Sequence, residues 1–258
     1  KILKLAPGFF VRYSKGVVFV SKHRMLDQFA SDLCRTLAGC EKISLTIMLV
    51  GVHLGIPKIF KLFPFRRVSI QTEQLADQNG QILWGANHCN LPQFVTCAIQ
   101  ISSRFLDMNF SNRSWYSKVG VPCCDQKVVF GPHVFPKKFN SPPRELVEKG
   151  SALFVGSINE RRQGILDEAE FQELDVVSGS VWGSALRYRA NKASFILNLH
   201  VQEAIYTEVP RVLFAVVNGK PLVSEFLSEP FLAGVHYELF GERDESVFAP
   251  HLHNQLRV

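Results

Sequence analysis

Two adjacent arginines, Arg161 and Arg162, follow an apolar run and a small turn in residues 153–166, LFVGSINERRQGIL. The run reads as a strand and Gly156-Ser157-Ile158-Asn159 as a turn, with a helix starting near Glu160. Backbone N–H groups at a helix start point outward, and the helix dipole favours an anion there. Gly156 would let a ligand approach the main chain, and Arg161 or Arg162 could grip phosphate oxygens through two parallel N–H bonds. The chemistry on offer is phosphate binding, at Ser157, Asn159, Arg161 and Arg162. A solvated turn explains the same residues. The turn is neither a GxGxxG fingerprint nor a P-loop, since no GK[ST] follows.

A second group of polar residues lies in 194–225, SFILNLHVQEAIYTEVPRVLFAVVNGKPLVSE. A buried strand ending at Asn198-Leu199-His200 puts polar side chains at its carboxyl end. The next helix carries Glu208 and Arg211 three residues apart, tolerates Pro210 in its first turn, and stops at Gly219. The following strand ends in Ser224-Glu225. Asn198, His200, Glu208, Ser224 and Glu225 thus fall at strand ends or a helix start, where α/β proteins bind ligands. Glu208 and Arg211 are equally explained as an i,i+3 ion pair of a few tenths of a kcal/mol.

The elements that must position these residues alternate. Strands are expected at 15–23, 43–53, 66–75 (running into a turn), 82–88, 104–111 and 127–136. Helices are expected at 24–39, where Met25, Phe29, Leu33 and Leu37 share a face, over part of 56–64, from Pro92, and at 113–120. Residues 137–146, KKFNSPPREL, read as a linker. The pattern then restarts with strands at 151–158, 174–179, 194–200 and 220–225 and helices at 160–171, 181–193 and 207–219. This order predicts an α/β protein with two Rossmann-like domains facing a ligand cleft, spanning residues 1–136 and 151–258 around a linker at 137–150.

At 258 residues and 47% hydrophobic, the chain can bury a sizeable core. Its longest apolar run, 43–56, is too short to span a bilayer. The net charge of +6 is unevenly spread. Residues 1–67 hold 12 Lys/Arg against 3 Asp/Glu, and residues 151–258 hold 9 against 14. A basic front suits an anionic lipid surface, nucleic acid or a phosphorylated substrate. Nucleic acid is disfavoured, because no aromatics interleave with the basic residues. The six cysteines form no CxxC pair, so free thiols in a reducing cytoplasm are expected and zinc is not.

The order FVGSINERR, helix, FILNLH, EVPRVLFAVVNGKPLVSE resembles the C-terminal domain of bacterial GT-B glycosyltransferases. It is nearest to a branch used in surface-polysaccharide assembly and spore-coat glycosylation. SIQTEQL (69–75), FLDMNFSNRSWYSKVG (105–120) and VFGPHVFP (129–136) resemble the front domain of the same proteins. The likeness covers roughly residues 65–225. It implies sugar transfer from an NDP- or CMP-linked donor to a glycan or lipid-linked acceptor, without metal or cofactor, by a cytoplasmic protein able to sit at the inner membrane face. It assigns donor contacts to Ser157, Asn159, Arg161 and Arg162, and to Glu208, Arg211, Ser224 and Glu225. One departure stands out. The glutamate pair that many retaining members carry around this helix falls on Tyr206 and Phe214 here. The sequence does not begin with Met, and only 33 residues follow Glu225, which is short for closing such a domain.

Such a transfer needs the leaving phosphate neutralised and, if it inverts, a base on the acceptor hydroxyl. No DxD pair is present, so arginines and backbone donors would do the first. Asp107, then Glu73 and His88, are the candidate bases, each also explained as a cap or a buried hydrogen-bond partner. The alternatives to an enzyme are a catalytically inactive GT-B-like binding partner and a nucleic-acid-binding α/β protein.

Overall fold

The structure is a computed structural model that describes residues 3–4, 9–36, 44–55, 60, 65–76, 83, 91–121, 124–131, 151–168, 173–177, 181–202 and 207–240. The linker and all but one residue each of the expected strand at 82–88 and the short helix at 56–64 lie outside them, as does His88. The chain divides into two compact units. One comprises Lys1–Lys137 with Thr207–Pro210, the other Lys138–Tyr206 with Arg211–Val258.

The first unit is built on a mixed seven-stranded sheet. Its strands are β1 (Leu3–Lys4), β2 (Phe10–Ser14), β3 (Val17–Ser21), β4 (Thr46–Val50), β5 (Arg66–Gln71), β6 (Arg104–Asp107) and β7 (Val128–Phe130). They lie side by side in sequence order, antiparallel from β1 to β3 and parallel from β3 to β7. The order never reverses, so this sheet has no topological switch point. The β2–β3 hairpin was not expected from the sequence. Its two loop residues, Lys15 and Gly16, both have positive φ (50° and 86°), the pattern of a type I′ turn. Lysine is an unusual residue there, which hides the hairpin from a search for Asn-Gly or Asp-Gly.

Helix α1 (Arg24–Thr36) packs on β2 and β3, fixed by Arg12 donating Nε and Nη2 to the Asp27 carboxylate at 2.5 and 2.7 Å. The expected strand at 43–53 ends earlier, at Val50. Gly51 adopts a left-handed conformation (φ 71°, ψ 52°) and opens a 3-10 turn. Helix α2 (Leu91–Ile101) contributes Leu91, Val95, Ala98 and Ile99 to a core shared with Ile47, Leu49, Phe105, Trp115 and Tyr116. Trp115 and Tyr116 come from α3 (Asn112–Val119), which ends on left-handed Gly120. The short helix α4 (Cys124–Lys127) leads into β7.

The second unit has five strands, β8 (Ser151–Val155), β9 (Glu173–Val177), β10 (Phe195–Asn198), β11 (Leu222–Ser224) and β12 (Glu238–Leu239). All pair in parallel, in the order β12-β11-β10-β8-β9. The chain leaves β8 for β9 on one side, then returns to β10 on the other. That is a doubly wound order, with its reversal between β8 and β10. The helices are α5 (Glu160–Glu168), α6 (Ser184–Lys192) and α7 (Val209–Val217). Ala152, Phe154, Phe195, Leu197 and Val223 line one face of the sheet with Leu166 of α5. β10 and β11 are buried throughout, as expected of parallel strands covered on both faces. Helix α7 ends as the sequence predicts: Gly219 is left-handed, Lys220 N–H donates to Ala215 O, and Gly219 N–H donates to Val216 O, a Schellman stop.

Candidate functional site

In an open α/β sheet the carboxyl ends of the strands at a reversal leave a crevice, which is where ligands bind. In the second unit that place is the end of β8 and β10. It gathers Ser157, Asn159, Arg161, Arg162, Asn198, His200, Arg211, Ser224 and Glu225 into one hydrogen-bonded group.

Asn159 is the N-cap of α5. Its Oδ1 accepts from Arg162 N–H at 3.0 Å, and its Nδ2 donates to Val201 O at 2.7 Å. The residue that the sequence reading named as a donor contact is thus a cap that also ties the turn to the loop after β10.

Arg162 turns inward. It is buried, and its guanidinium donates to Ser157 O (2.8 Å), Leu199 O (2.7 Å from Nη2) and His200 O (3.2 Å). Arg211 is also buried. It donates to Val155 O (2.9 Å), to Leu199 O (3.3 Å) and to Asn198 Oδ1. Both guanidinium carbons lie over the Phe154 ring, at 5.3 and 5.2 Å from its centroid. Carbonyls at the ends of parallel strands need donors once they are buried, and these two arginines supply them. The two arginines that the sequence reading assigned to phosphate thus staple β8 to β10 in this structure. Gly156 has a packing reason too. A Cβ there would lie 3.0 Å from Arg211 Nη2 and 3.2 Å from Phe154 Cζ.

A relay continues from Arg211. Asn198 Nδ2 donates to Ser224 Oγ (2.8 Å), which donates to Glu225 O (2.6 Å). Asn198 and Ser224 are completely buried and tie the ends of β10 and β11 together. His200 is buried, with Nε2 2.9 Å from Phe226 O.

Arg161 differs from the other two arginines, being only partly buried. Its Nη1 donates to His200 O (3.0 Å) and to Glu225 Oε2 (3.1 Å), and its Nη2 donates to Glu225 Oε1. His200 N–H donates to the same carboxylate at 2.5 Å. The side chains of Arg161 and Glu225 remain 25% and 17% exposed. Ser157 is exposed beside them in sequence. Arg161, Glu225, Ser157 and Asn159 are thus members of the group that solvent reaches. Glu208 is buried just ahead of α7, in the segment that groups with the first unit. Of the two positions where a glutamate pair was absent, Phe214 is buried in α7 and Tyr206 lies outside the described residues.

The first unit holds the candidate bases. Asp107 ends β6 and is completely buried. Its carboxylate accepts from Asn109 N–H (2.8 Å), Asn112 Nδ2 (2.9 and 3.0 Å) and Tyr116 Oη (2.5 Å). Burial pushes its pKa up to about 7, against the three hydrogen bonds, which favour the ionised form. Asn112 also donates to Glu73 O (3.1 Å) and accepts from Leu75 N–H (2.6 Å). Asp107 is therefore the hub that ties the loop after β5 to the start of α3. Its lone pairs are turned to these donors and none of its surface faces solvent, so this arrangement does not present it to an acceptor hydroxyl. Asn112 and Tyr116 were missed as its partners, although both sit within nine residues of it at the head of a readable helix. Glu73 is half-buried after β5.

No protein-family model matches the sequence, and no curated protein is significantly similar to it. Among the described residues no three His, Cys, Asp or Glu gather at a metal-binding spacing, and no helix is long and apolar enough to cross a membrane.

Proposed function

We propose that the chain is a GT-B type glycosyltransferase whose second unit takes the phosphate of a nucleotide-activated sugar at the β8/β10 reversal. One observation carries this reading: a doubly wound strand order puts its crevice where the sequence concentrates its polar, strand-ending residues. The solvent-reached members, Arg161, Ser157, Asn159 and Glu225, include a fork suited to phosphate and an acid suited to sugar or ribose hydroxyls. Arg162, Arg211, Asn198 and Ser224 act behind them, holding the strand ends in place. The acceptor in this reading is a glycan or lipid-linked glycan, with the basic N-terminal part meeting an anionic membrane.

Asp107 favours a second reading, a binding protein of the same architecture without catalysis. Asp107 is sealed and fully engaged, and Phe214 packs where many retaining GT-B enzymes place a glutamate.

A nucleotide panel separates the two. UDP, GDP, dTDP and CMP, each with and without an attached sugar, are tested for thermal stabilisation of the protein. A ligand at about 100 times its Kd stabilises by about 2.7 kcal/mol, a readily measured shift. One nucleotide series is expected to stabilise the wild type and to lose that effect in Arg161→Ala. Hydrolysis or transfer of the sugar by the stabilising member supports the enzyme, and binding without turnover supports the inactive partner. No stabilisation by any nucleotide removes both readings.

A further inference from the structure

The Arg161–Glu225 pair has the layout of an occupied anion site. Three N–H donors converge on one carboxylate: the two Nη groups of Arg161, aligned as a fork, and the backbone N–H of His200. The group occupying that fork is the protein's own acid. The main chain of Glu225 is held separately, its N–H on Asn198 O (3.2 Å) and its carbonyl under Ser224 Oγ (2.6 Å). Its side chain can therefore swing away by rotating about its own bonds while the strand end stays in place. Both partners of the pair are partly exposed, so an incoming anion reaches the fork and the departing carboxylate reaches water. The two buried arginines behind it donate to carbonyls and keep their positive charge close by.

We propose that Glu225 is an intramolecular stand-in for phosphate, and that a phosphate-bearing ligand binds by displacing it from Arg161 and His200 N–H. A phosphate offers the fork more oxygens and more charge than a carboxylate, so it wins the exchange. The released carboxylate is then free to accept hydroxyls from the same ligand. Glu225 is a positioning residue in this scheme. It holds the donors in place when the site is empty and makes weakly charged or neutral ligands poor competitors. The proposal rests on the donor-phosphate reading of this crevice but is tested separately from it.

The test uses inorganic pyrophosphate and uridine as probes, titrated calorimetrically into the wild type and into Glu225→Gln. The amide keeps the shape and removes the competing charge. Losing a charge-assisted competitor is expected to tighten pyrophosphate by about tenfold or more, with uridine unchanged because it carries no phosphate. A general loosening of the fold would weaken both probes together. Arg161→Ala should abolish pyrophosphate binding in either background. Pyrophosphate that binds Glu225→Gln no better than wild type, or binds neither, overturns the proposal. Should Glu225→Gln fail to fold, Glu225→Asp answers the same question. Its carboxylate is one methylene short of the fork, and pyrophosphate affinity equal to or below wild type overturns the exchange. Tightened pyrophosphate with no nucleotide bound by any form removes the glycosyltransferase reading and leaves the exchange standing. Nucleotide binding with no tightening does the reverse.

Discussion

Asp107 carries the clearest consequence at the scale of single residues. An acid buried without solvent contact pays to ionise, and its pKa rises from the model-peptide 3.8 to about 7. Between those values the folded chain holds a proton that the unfolded chain has lost. Stability from this group is therefore fully present below about pH 4 and is lost as pH rises through 7. The expected amplitude is on the order of a few kcal/mol. Asp107→Asn removes the titration, so the difference in urea midpoint between wild type and variant should change across pH 4 to 7 and level off beyond it. A difference that stays constant with pH would show that the carboxyl is not titrating in that window. The same scale exposes what a sequence hides. The residue types at the β8/β10 crevice were legible, as were their places at strand ends. The direction in which each guanidinium points was not. Arg161 and Arg162 are adjacent, yet one faces a carboxylate at the rim and the other faces carbonyls inside. Helical geometry separates neighbours by about 100°, and only the tertiary placement of β10 decides which of them turns inward.

Elements were legible where local chemistry sets their limits. Pro210 in the first turn and Gly219 after the last fix α7, and the apolar runs of β8, β10 and β11 stand out because both faces are buried. Boundaries set from a distance were not legible. The apolar run at 43–53 continues past Val50, but the strand stops where Gly51 turns left-handed, at a position where Leu26 of α1 leaves no room for a side chain. A Cβ on Gly51 would sit 2.1 Å from Leu26 Cδ1, at a φ of 71° that already disfavours one. Gly120 provides the comparison, with a similar φ of 63° and nothing within 4 Å of its virtual Cβ. Gly120→Ala should cost only the backbone term, roughly 1 kcal/mol. Gly51→Ala should cost that plus the displacement of Leu26 in a packed core, about 2–4 kcal/mol in total. Urea unfolding of the two variants measures the gap. Equal losses would mean that α1 yields to the added methyl.

For the whole molecule, alternation of strands and helices made the α/β class legible, but the order of strands within each sheet was not. Order depends on which side of the sheet each crossover takes, and periodicity is the same for both sides. Charge is read with less ambiguity, because it needs no register. The first 67 residues hold 12 Lys/Arg against 3 Asp/Glu. Some of these cations are already engaged: Arg12 is paired with Asp27, and Arg67 donates to Phe60 O and Ile101 O. Others, Lys15 and Arg66 among them, are exposed. A lipid-linked acceptor would bring this part of the chain to an anionic membrane, where each basic residue near the surface contributes about 1 kcal/mol. The attraction is long-ranged and screened, with a Debye length of about 10 Å at 0.1 M salt and about 3 Å at 1 M. Vesicles containing phosphatidylglycerol should therefore co-sediment with the protein at low salt and release it as salt approaches 1 M, while phosphatidylcholine vesicles should not bind it. Replacing Lys15 and Arg66 together by Gln should weaken the low-salt binding several-fold with the melting temperature unchanged. Binding that ignores both salt and lipid charge would instead point to apolar insertion, and no binding at low salt would leave the basic N-terminal part as a solvated surface.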